Sequence, residues 1–394
     1  MSKKVIVSLL ISGLMILSLT GCNKNNDKTT SSEETKATAV YEATVRSGDI
    51  NTTATILDKL SNNNDNVVIS PLSLDISLGI VANGATDSVK KDISTYLNTS
   101  IDDFNDFVKD FQLNKSSGIT TANSLWVKEG NKLNEKTDTL LFDNYDTELF
   151  EHKFDKTLID DANLWCSTKT NKLIPNILDS VPDGDSVLLS ALYFNSNWQA
   201  AFDKDNTSKD TFKVNGKDTK VDTLHSTEYY YYENDKATAF GKNYVNNRYK
   251  FIGILPNDEK YNIADLDLDT LLKSETESTV NVSMPKFTVE YSADLNDALK
   301  TVGLTSIFED NAFDSILEDK SMAISDVMQK NKVIVNEDGT EAASTTKTEL
   351  KTTALTNTSE NVKTVKLNRP FVYMIYDTQA ETPLFIGNIV NPTK

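Results

Sequence analysis

Val335-Asn336-Glu337-Asp338-Gly339-Thr340-Glu341-Ala342-Ala343-Ser344-Thr345-Thr346-Lys347-Thr348-Glu349-Leu350-Lys351-Thr352-Thr353-Ala354-Leu355-Thr356 carries a period of two. From Thr340 the even positions are Thr340, Ala342, Ser344, Thr346, Thr348, Leu350 and Thr352; none is charged and all but Leu350 are small. The odd positions hold Glu341, Lys347, Glu349 and Lys351. Side chains of a β-strand alternate between faces, so the pattern predicts a strand with one face suited to burial and the charged face toward solvent. The would-be buried face is too small to drive its own packing at ~25 cal/mol per Å². Such a segment can live in water and can also fit a narrow slot in a sheet. No Pro lies between Val335 and Arg369, so full ladder bonding is open to it. Gly339 is expected to act as a permissive backbone hinge. A polar surface loop with accidental alternation is the plain alternative.

The amino terminus is of another kind. Lys3 and Lys4 precede a short apolar run, Val5 to Leu19, too short to cross a bilayer comfortably. It ends Leu19-Thr20-Gly21-Cys22, which looks like a bacterial lipobox. Residues 1–21 are expected to be a signal peptide, cut before Cys22, whose thiol then carries a lipid. Asn23 to Arg46 is polar and aperiodic, a tether of roughly 25–30 Å root-mean-square reach. The expected location is the cell envelope, lipid-anchored and extracytoplasmic, or extracellular on release.

Composition narrows the function. The formal charge is −18, and losing Lys3 and Lys4 with the leader deepens it by two. Nucleic acid and anionic lipid should both be repelled. With Cys22 lipidated, Cys166 has no partner for an internal disulfide. No metal-ligand spacing, P-loop or G-x-G-x-x-G motif occurs, so no metal or cofactor is expected. His152 and His225 are the only histidines. Neither stands in a nucleophile motif, and Glu151-His152-Lys153 reads as solvated.

Asn66-Val67-Val68-Ile69-Ser70-Pro71-Leu72-Ser73-Leu74 reads as a buried strand followed by a helix with Ser70 at the N-cap and Pro71 first inside. The helix is mostly apolar, as a core helix must be. Ile101 to Phe111 reads as an acidic amphipathic helix. Asp161 to Leu178 reads as another helix, with Cys166 half-buried and Asn171 able to adopt a left-handed turn. Val187 to Phe202, VLLSALYFNSNWQAAF, opens with a strand buried on both faces. Phe212 to Gly216 is a turn, Tyr229 to Tyr232 a tyrosine-rich strand, and Val280 to Val289, VNVSMPKFTV, one strand.

Val335 to Ala343 resembles the reactive-centre-loop hinge of serpins, V-N-E-E-G-T-E-A-A. The segment around Ser70, the Asn195-Trp198-Phe202 pattern, VNVSMPKF, Asn368-Arg369-Pro370-Phe371 and Gly387-Asn388-Ile389-Val390-Asn391-Pro392 also resemble that family, collinearly. The resemblance implies an α+β fold with a large central β-sheet, smaller sheets and surrounding helices. It implies a single domain over residues 47–394, with an exposed loop at about 337–366. It makes Glu337, Asp338, Gly339, Thr340, Glu341, Ala342, Ala343 and Ser344 the hinge, and Ser70 and Ser73 the "shutter" that parts when the loop enters. Gln329 and Asn331 stand where the family often has His and Ala.

The implied function is protease inhibition, not catalysis. The resemblance implies that a target protease, of the serine or else the cysteine type, cuts the loop and is held as a covalent acyl-enzyme while the loop inserts into the main sheet. Spacing from Glu337 puts the cut between Thr353 and Ala354, with Leu350, Lys351 and Leu355 as alternative bait residues. The loop is several residues longer than usual, which leaves more than one bond open. The acidic helix near residue 101 implies no polyanion cofactor, and a monomer is expected. The rival readings are a serpin-fold surface protein that binds without inhibiting, a solute-binding lipoprotein and a hydrolase.

Overall fold

The computed structural model describes residues 48–62, 64–116, 118–318, 321–340 and 362–394. Among these residues the helices are α1 (Ile50–Leu60), α2 (Pro71–Ala82), α3 (Asp87–Leu97), α4 (Ile101–Asn114), α5 (Glu135–Tyr145), α6 (Lys156–Lys169), α7 (Leu268–Lys273) and α8 (Asn296–Thr301). The strands are β1 (Val67–Ile69), β2 (Ile119–Lys128), β3 (Glu148–His152), β4 (Ser186–Phe194), β5 (Ser196–Asn197), β6 (Ser208–Val214), β7 (Lys217–Glu233) and β8 (Ala237–Asn243). They continue with β9 (Tyr249–Pro256), β10 (Thr276–Pro285), β11 (Phe287–Asp294), β12 (Asp326–Val335), β13 (Gly339–Thr340), β14 (Lys363–Lys366), β15 (Phe371–Asp377) and β16 (Thr382–Ile389).

Two sheets organise these strands. The seven-stranded sheet has the order β3-β2-β4-β12-β13-β5, with β11 on the far edge of β12. The nine-stranded sheet runs β1-β16-β15-β9-β8-β7-β10-β14, with β6 on β7. The expected smaller sheets are thus continuous with one another through β7, which is 17 residues long. Asn215 and Gly216, both at positive φ, turn β6 into β7, as a two-residue hairpin requires.

The α2 helix lies in the core behind the seven-stranded sheet. All twelve of its residues are buried, the signature of a helix apolar all round. Ser70 caps it, its Oγ accepting from Ser73 N at 3.3 Å. On the opposite, front face of the sheet lies α6. Leu158, Ala162, Trp165 and Cys166 pack there on Ala122 and Trp126 of β2 and on Val187, Leu189 and Ala191 of β4. Cys166 is wholly buried rather than half-buried, and desolvation pushes its thiol up to about 12.

Two sequence boundaries shift. The helix expected over Asp161 to Leu178 spans Lys156–Lys169. Asn171 and Lys172 then take left-handed backbone at φ 51° and 69°. The following chain is tied back by Asn163, whose Oδ1 accepts from the amides of Ile177 and Leu178. The strand expected over Val280 to Val289 is two strands in two sheets, β10 and β11, broken at Lys286. The apolar positions change phase at the break, from Val280, Val282 and Met284 to Phe287 and Val289, with Pro285 and Lys286 between them; that shift of period is the signal that marks two strands.

The packing of α2 against α4 and α5 yields a prediction. A Cβ on Gly79 would lie 2.6 Å from Tyr145 Oη and 2.7 Å from Phe104 Cε1. Gly79→Ala should therefore destabilise the fold by ~1–3 kcal/mol through overpacking, read as a lower denaturant midpoint at unchanged slope.

Candidate functional site: an unfinished seam in the seven-stranded sheet

β12 and β4 run parallel and pair over only four positions, from Asp326 with Val187 to Gln329 with Ser190. Above these, residues 330–334 and 191–195 exchange no ladder pair among the described residues. At the top of the gap sits β13. Thr340 pairs antiparallel with Val335 of β12 and with Ser196 of β5, and Gly339 with Asn197. The seam is therefore closed at the bottom by β4 against β12, and held apart at the top by the start of the stretch that opened the sequence.

The two ends share one register. Asp326 faces Val187, and Val335 is linked through Thr340 to Ser196; in each case the two outer residues are 139 positions apart. A strand continuing from Thr340 would meet β4 and β12 without either having to slide. On β12 the odd residues Val327, Gln329, Asn331, Val333 and Val335 are buried and the even ones half-exposed. Directly opposed residues share a face, so Thr340, at 1% exposure, marks the core-side face of any such strand.

The hinge is latched on several sides. Thr340 Oγ1 lies 2.6 Å from Tyr244 Oη, and burial drives that phenol well above its usual pKa. Trp198 stacks on Tyr244 with centroids 4.5 Å apart. Its indole N–H donates to Asn336 O at 2.9 Å, and its amide to Asp338 O. Trp198 is thus a packing residue, as its motif suggested, and a hinge holder as well. Lys286 Nζ and Thr207 Oγ1 both donate to Glu337 Oε1, at 3.0 and 3.1 Å. Lys204 Nζ donates to Asp338 Oδ2 at 2.9 Å. Burial acts to raise the Glu337 pKa, but Lys286 and Thr207 together hold it below the ordinary glutamate value.

Gly339 has a role other than the one expected. It is not among the residues at positive φ. A Cβ there would lie 2.3 Å from Ser196 O and 2.7 Å from Asn197 Cα. Close backbone approach inside the sheet, rather than hinge freedom, is what excludes a side chain.

Ser70 and Ser73 meet at the lower end of the seam. Ser73 Oγ bonds Ser190 Oγ of β4, which donates to Asn123 Oδ1 of β2 at 3.0 Å. From the other side, Gln329 of β12 clasps Ser70: its Oε1 accepts from Ser70 N at 2.8 Å and its Nε2 donates to Ser70 O at 2.9 Å. The α2 N-terminus thus joins both banks of the seam. Asn331 Nδ2 donates to Gln329 Oε1 and to Val68 O.

The remaining predicted positions divide plainly. Glu341, Ala342, Ala343, Ser344, Leu350, Lys351, Thr353, Ala354, Leu355 and Cys22 lie outside the described residues. The front face is not open solvent, as the charged face of the alternation required, because α6 covers Leu189 and Met328 packs beside it. His152 is mostly covered rather than solvated, stacked edge-on to Trp126 and paired with Asp161 at 2.9 Å. At His225, Ser208 and Asp210 both approach Nε2 and Ser283 takes Nδ1. That is not the order of a nucleophile–base–carboxylate relay. Lys286 and Ser190 lie in stretches that read as strands, and nothing in the sequence marked Lys286, Thr207, Lys204, Tyr244, Ser190 or Asn123 for the seam; register and folding bring them there.

The Glu337 latch makes stability pH-dependent in a defined direction. A carboxylate with a lowered folded pKa stabilises above the ordinary value of ~4.3, and the effect fades as pH falls through the lowered value. Glu337→Ala should cost on the order of 1–3 kcal/mol at neutral pH, and the gap to wild type should close below about pH 4. Paired urea titrations across that range check it.

A family model described as "Serpin (serine protease inhibitor)" matches residues 49–392. An uncharacterised serpin-like protein of Thermococcus kodakarensis is 30% identical over 352 residues, covering 85% of this chain and 82% of that protein. Neuroserpin of Mus musculus is 27% identical, covering 83% and 86%. The native-state crystal structure of the thermophilic serpin Tengpin superposes with a TM-score of 0.77 at 29% identity, over 87% of this chain and 94% of that one. With the fold, the parted seam and these matches in agreement, the chain belongs to the serpin family, whose members are generally protease inhibitors.

Proposed function

We propose that this protein is a suicide-substrate protease inhibitor, in which a cut loop enters the seam between β4 and β12 and traps the protease as an acyl-enzyme. Loop insertion of this kind is a known mode of strand addition in serpins. The observation that carries it here is the common register of the two ends of the seam. Continued from Thr340, that register sets Ala342 opposite Val333 and Phe194, Thr346 opposite Gln329 and Ser190, and Thr348 opposite Val327 and Leu188. Every core-side position through Thr352 is then uncharged, which avoids burying an unpaired charge at a cost of several kcal/mol.

The same register divides insertion into two stages. Glu341 to Thr345 would fill the stretch where the banks hold no ladder. From Thr346 onward the strand must replace the β4–β12 pairs and part the Ser70–Gln329 and Ser73–Ser190 contacts. Once in, it bonds both banks. On the order of ten new backbone hydrogen bonds at a net ~0.5–1.5 kcal/mol each rival the ~5–15 kcal/mol stability of a whole domain. The uncut form is then kinetically trapped. Lys347 would arrive beside Met328 and Leu189, where its stem can lie along apolar surface and its ammonium reach out.

The cut is assigned to Thr353–Ala354, with Leu350, Lys351 and Leu355 as alternative bait residues. A small residue there suits elastase- or subtilisin-like proteases. Cys22 as a lipid anchor would hold the inhibitor at the cell envelope.

Incubation with elastase-, subtilisin-, trypsin- and chymotrypsin-like proteases tests the proposal. A denaturant-stable inhibitor–protease band is expected from at least one, with the released C-terminal peptide identifying the bond. Cleavage by all that act, with no band and no gain in thermal stability, would defeat it. Thr340→Arg places a guanidinium at a wholly buried position and should convert the protein from inhibitor to substrate. Complex formation undiminished in that variant would count against insertion.

A further inference from the structure

Polar ties fasten α6 to the edge strand β3 at two points. Toward the C-terminal end of the helix, Trp165 Nε1 donates to Glu148 Oε2 at 2.6 Å, and Lys169 Nζ lies 3.0 Å from the same oxygen. Nearer its start, the tie runs from Asp161 to His152, the last residue of β3. Only this second tie uses a side chain whose ordinary pKa, ~6.5, falls in the neutral range.

The imidazole of His152 faces an acceptor at each nitrogen. Nδ1 lies 2.6 Å from Lys153 O, and Nε2 2.9 Å from Asp161 Oδ2. A carbonyl and a carboxylate can only accept, so both ring nitrogens must donate, and a neutral imidazole has one N–H. Turning the ring over sets carbons against both oxygens. The arrangement is therefore complete only when the ring is protonated. Trp126 meets the ring edge-on, with centroids 5.6 Å apart.

The charges around the ring favour that state. On α6, Asp161 pairs with it and the N-cap Asp155 adds its field. Beside it on β3, Glu151 is engaged by the Gly130 amide; next along the chain, Lys153 approaches Glu129 at 4.0 Å. On β2, Lys128 stands opposite His152 in the ladder, but its ammonium is paired with Asp185 at 2.8 Å. Burial acts to lower the His152 pKa; the Lys153 carbonyl, Asp161 and Asp155 outweigh it and raise it. The side chain is 18% exposed, so protons reach it from solvent.

We propose that His152 is a proton-operated clasp for α6. Protonated, it holds the helix to β3 through Asp161. On losing a proton it keeps the bond to the main-chain carbonyl of its neighbour and releases Asp161, whose side chain is 59% exposed and can turn to water. α6 packs on Ala122 and Trp126 of β2 and on Leu189 of β4, with Met328 of β12 beside it, so the clasp sets how firmly the front of the seam is covered. With the folded pKa raised, the contribution is full below ~6.5 and is lost as pH rises through the raised value. The cover is tightest in acid and loosens on the alkaline side of neutrality. Nothing in this device depends on loop insertion.

Two measurements on the full chain test it. His152 and His225 are the only histidines, so histidine-labelled protein gives two NMR titration curves, assigned with His225→Gln. The His152 curve should be centred above ~6.5 in wild type and move down in Asp161→Ala, a change at an exposed helical position that favours helix. Hydrogen exchange of peptides covering Lys156–Lys169 then reads the helix itself, with α4 as the internal reference. Relative to intrinsic rates, α6 protection should fall about two- to fivefold from about pH 5.5 to about pH 8.5 in wild type. In Asp161→Ala it should stay at the lower level throughout. A His152 curve centred at or below the ordinary value, or one that Asp161→Ala leaves in place, would overturn the clasp. So would α6 protection that is constant with pH, or that changes equally in wild type and variant.

Discussion

Two parallel strands that pair over part of their length set the terms for everything else in this protein. β4 and β12 are bonded from Asp326–Val187 to Gln329–Ser190 and then part. A sheet with such a seam has unused ladder capacity on two facing edges at once, and an exposed edge invites a strand. Here the entrance is held by Gly339 and Thr340 of the same chain, already in register with both banks. The mismatch between available edges and made bonds is what the proposed loop insertion would draw on.

The surroundings fasten the seam at both ends. At the top, Trp198, Tyr244, Lys286 and Lys204 hold the hinge by packing, hydrogen bonds and charge. At the bottom, the α2 N-terminus is bonded to both banks, through Ser190 on one and Gln329 on the other. Polar groups do this well because their cost falls on any state that leaves them unpaired. The Gln at 329 binds Ser70 by a neutral amide through donor and acceptor together, with no group that titrates near neutral pH.

Much of the site was legible because its requirements are local. Thr340, the first residue of the alternating stretch and the last one described, is buried on the core side of the sheet. Ser70 and Pro71 announce the start of α2, and an apolar run with no polar face announces that the helix is interior. Asn171 tolerates the left-handed turn it adopts. Other features could not be read. The break at Lys286 shows only as a change of phase in the apolar positions, and sequence does not say that the two halves join different sheets. Gly339 looked like a hinge because sequence shows the absence of a side chain but not the backbone that would collide with one.

The sequence by itself determined the family and the placement of most of the main elements, since periodicity and capping are set by neighbours in the chain. Only the tertiary structure decided which residues hold the hinge and where the seam opens. Those facts depend on pairings between strands more than a hundred residues apart, such as β4 with β12 and β5 with β13. Hydrogen-bond register across such distances is a property of the closed sheet and has no signature in either strand alone.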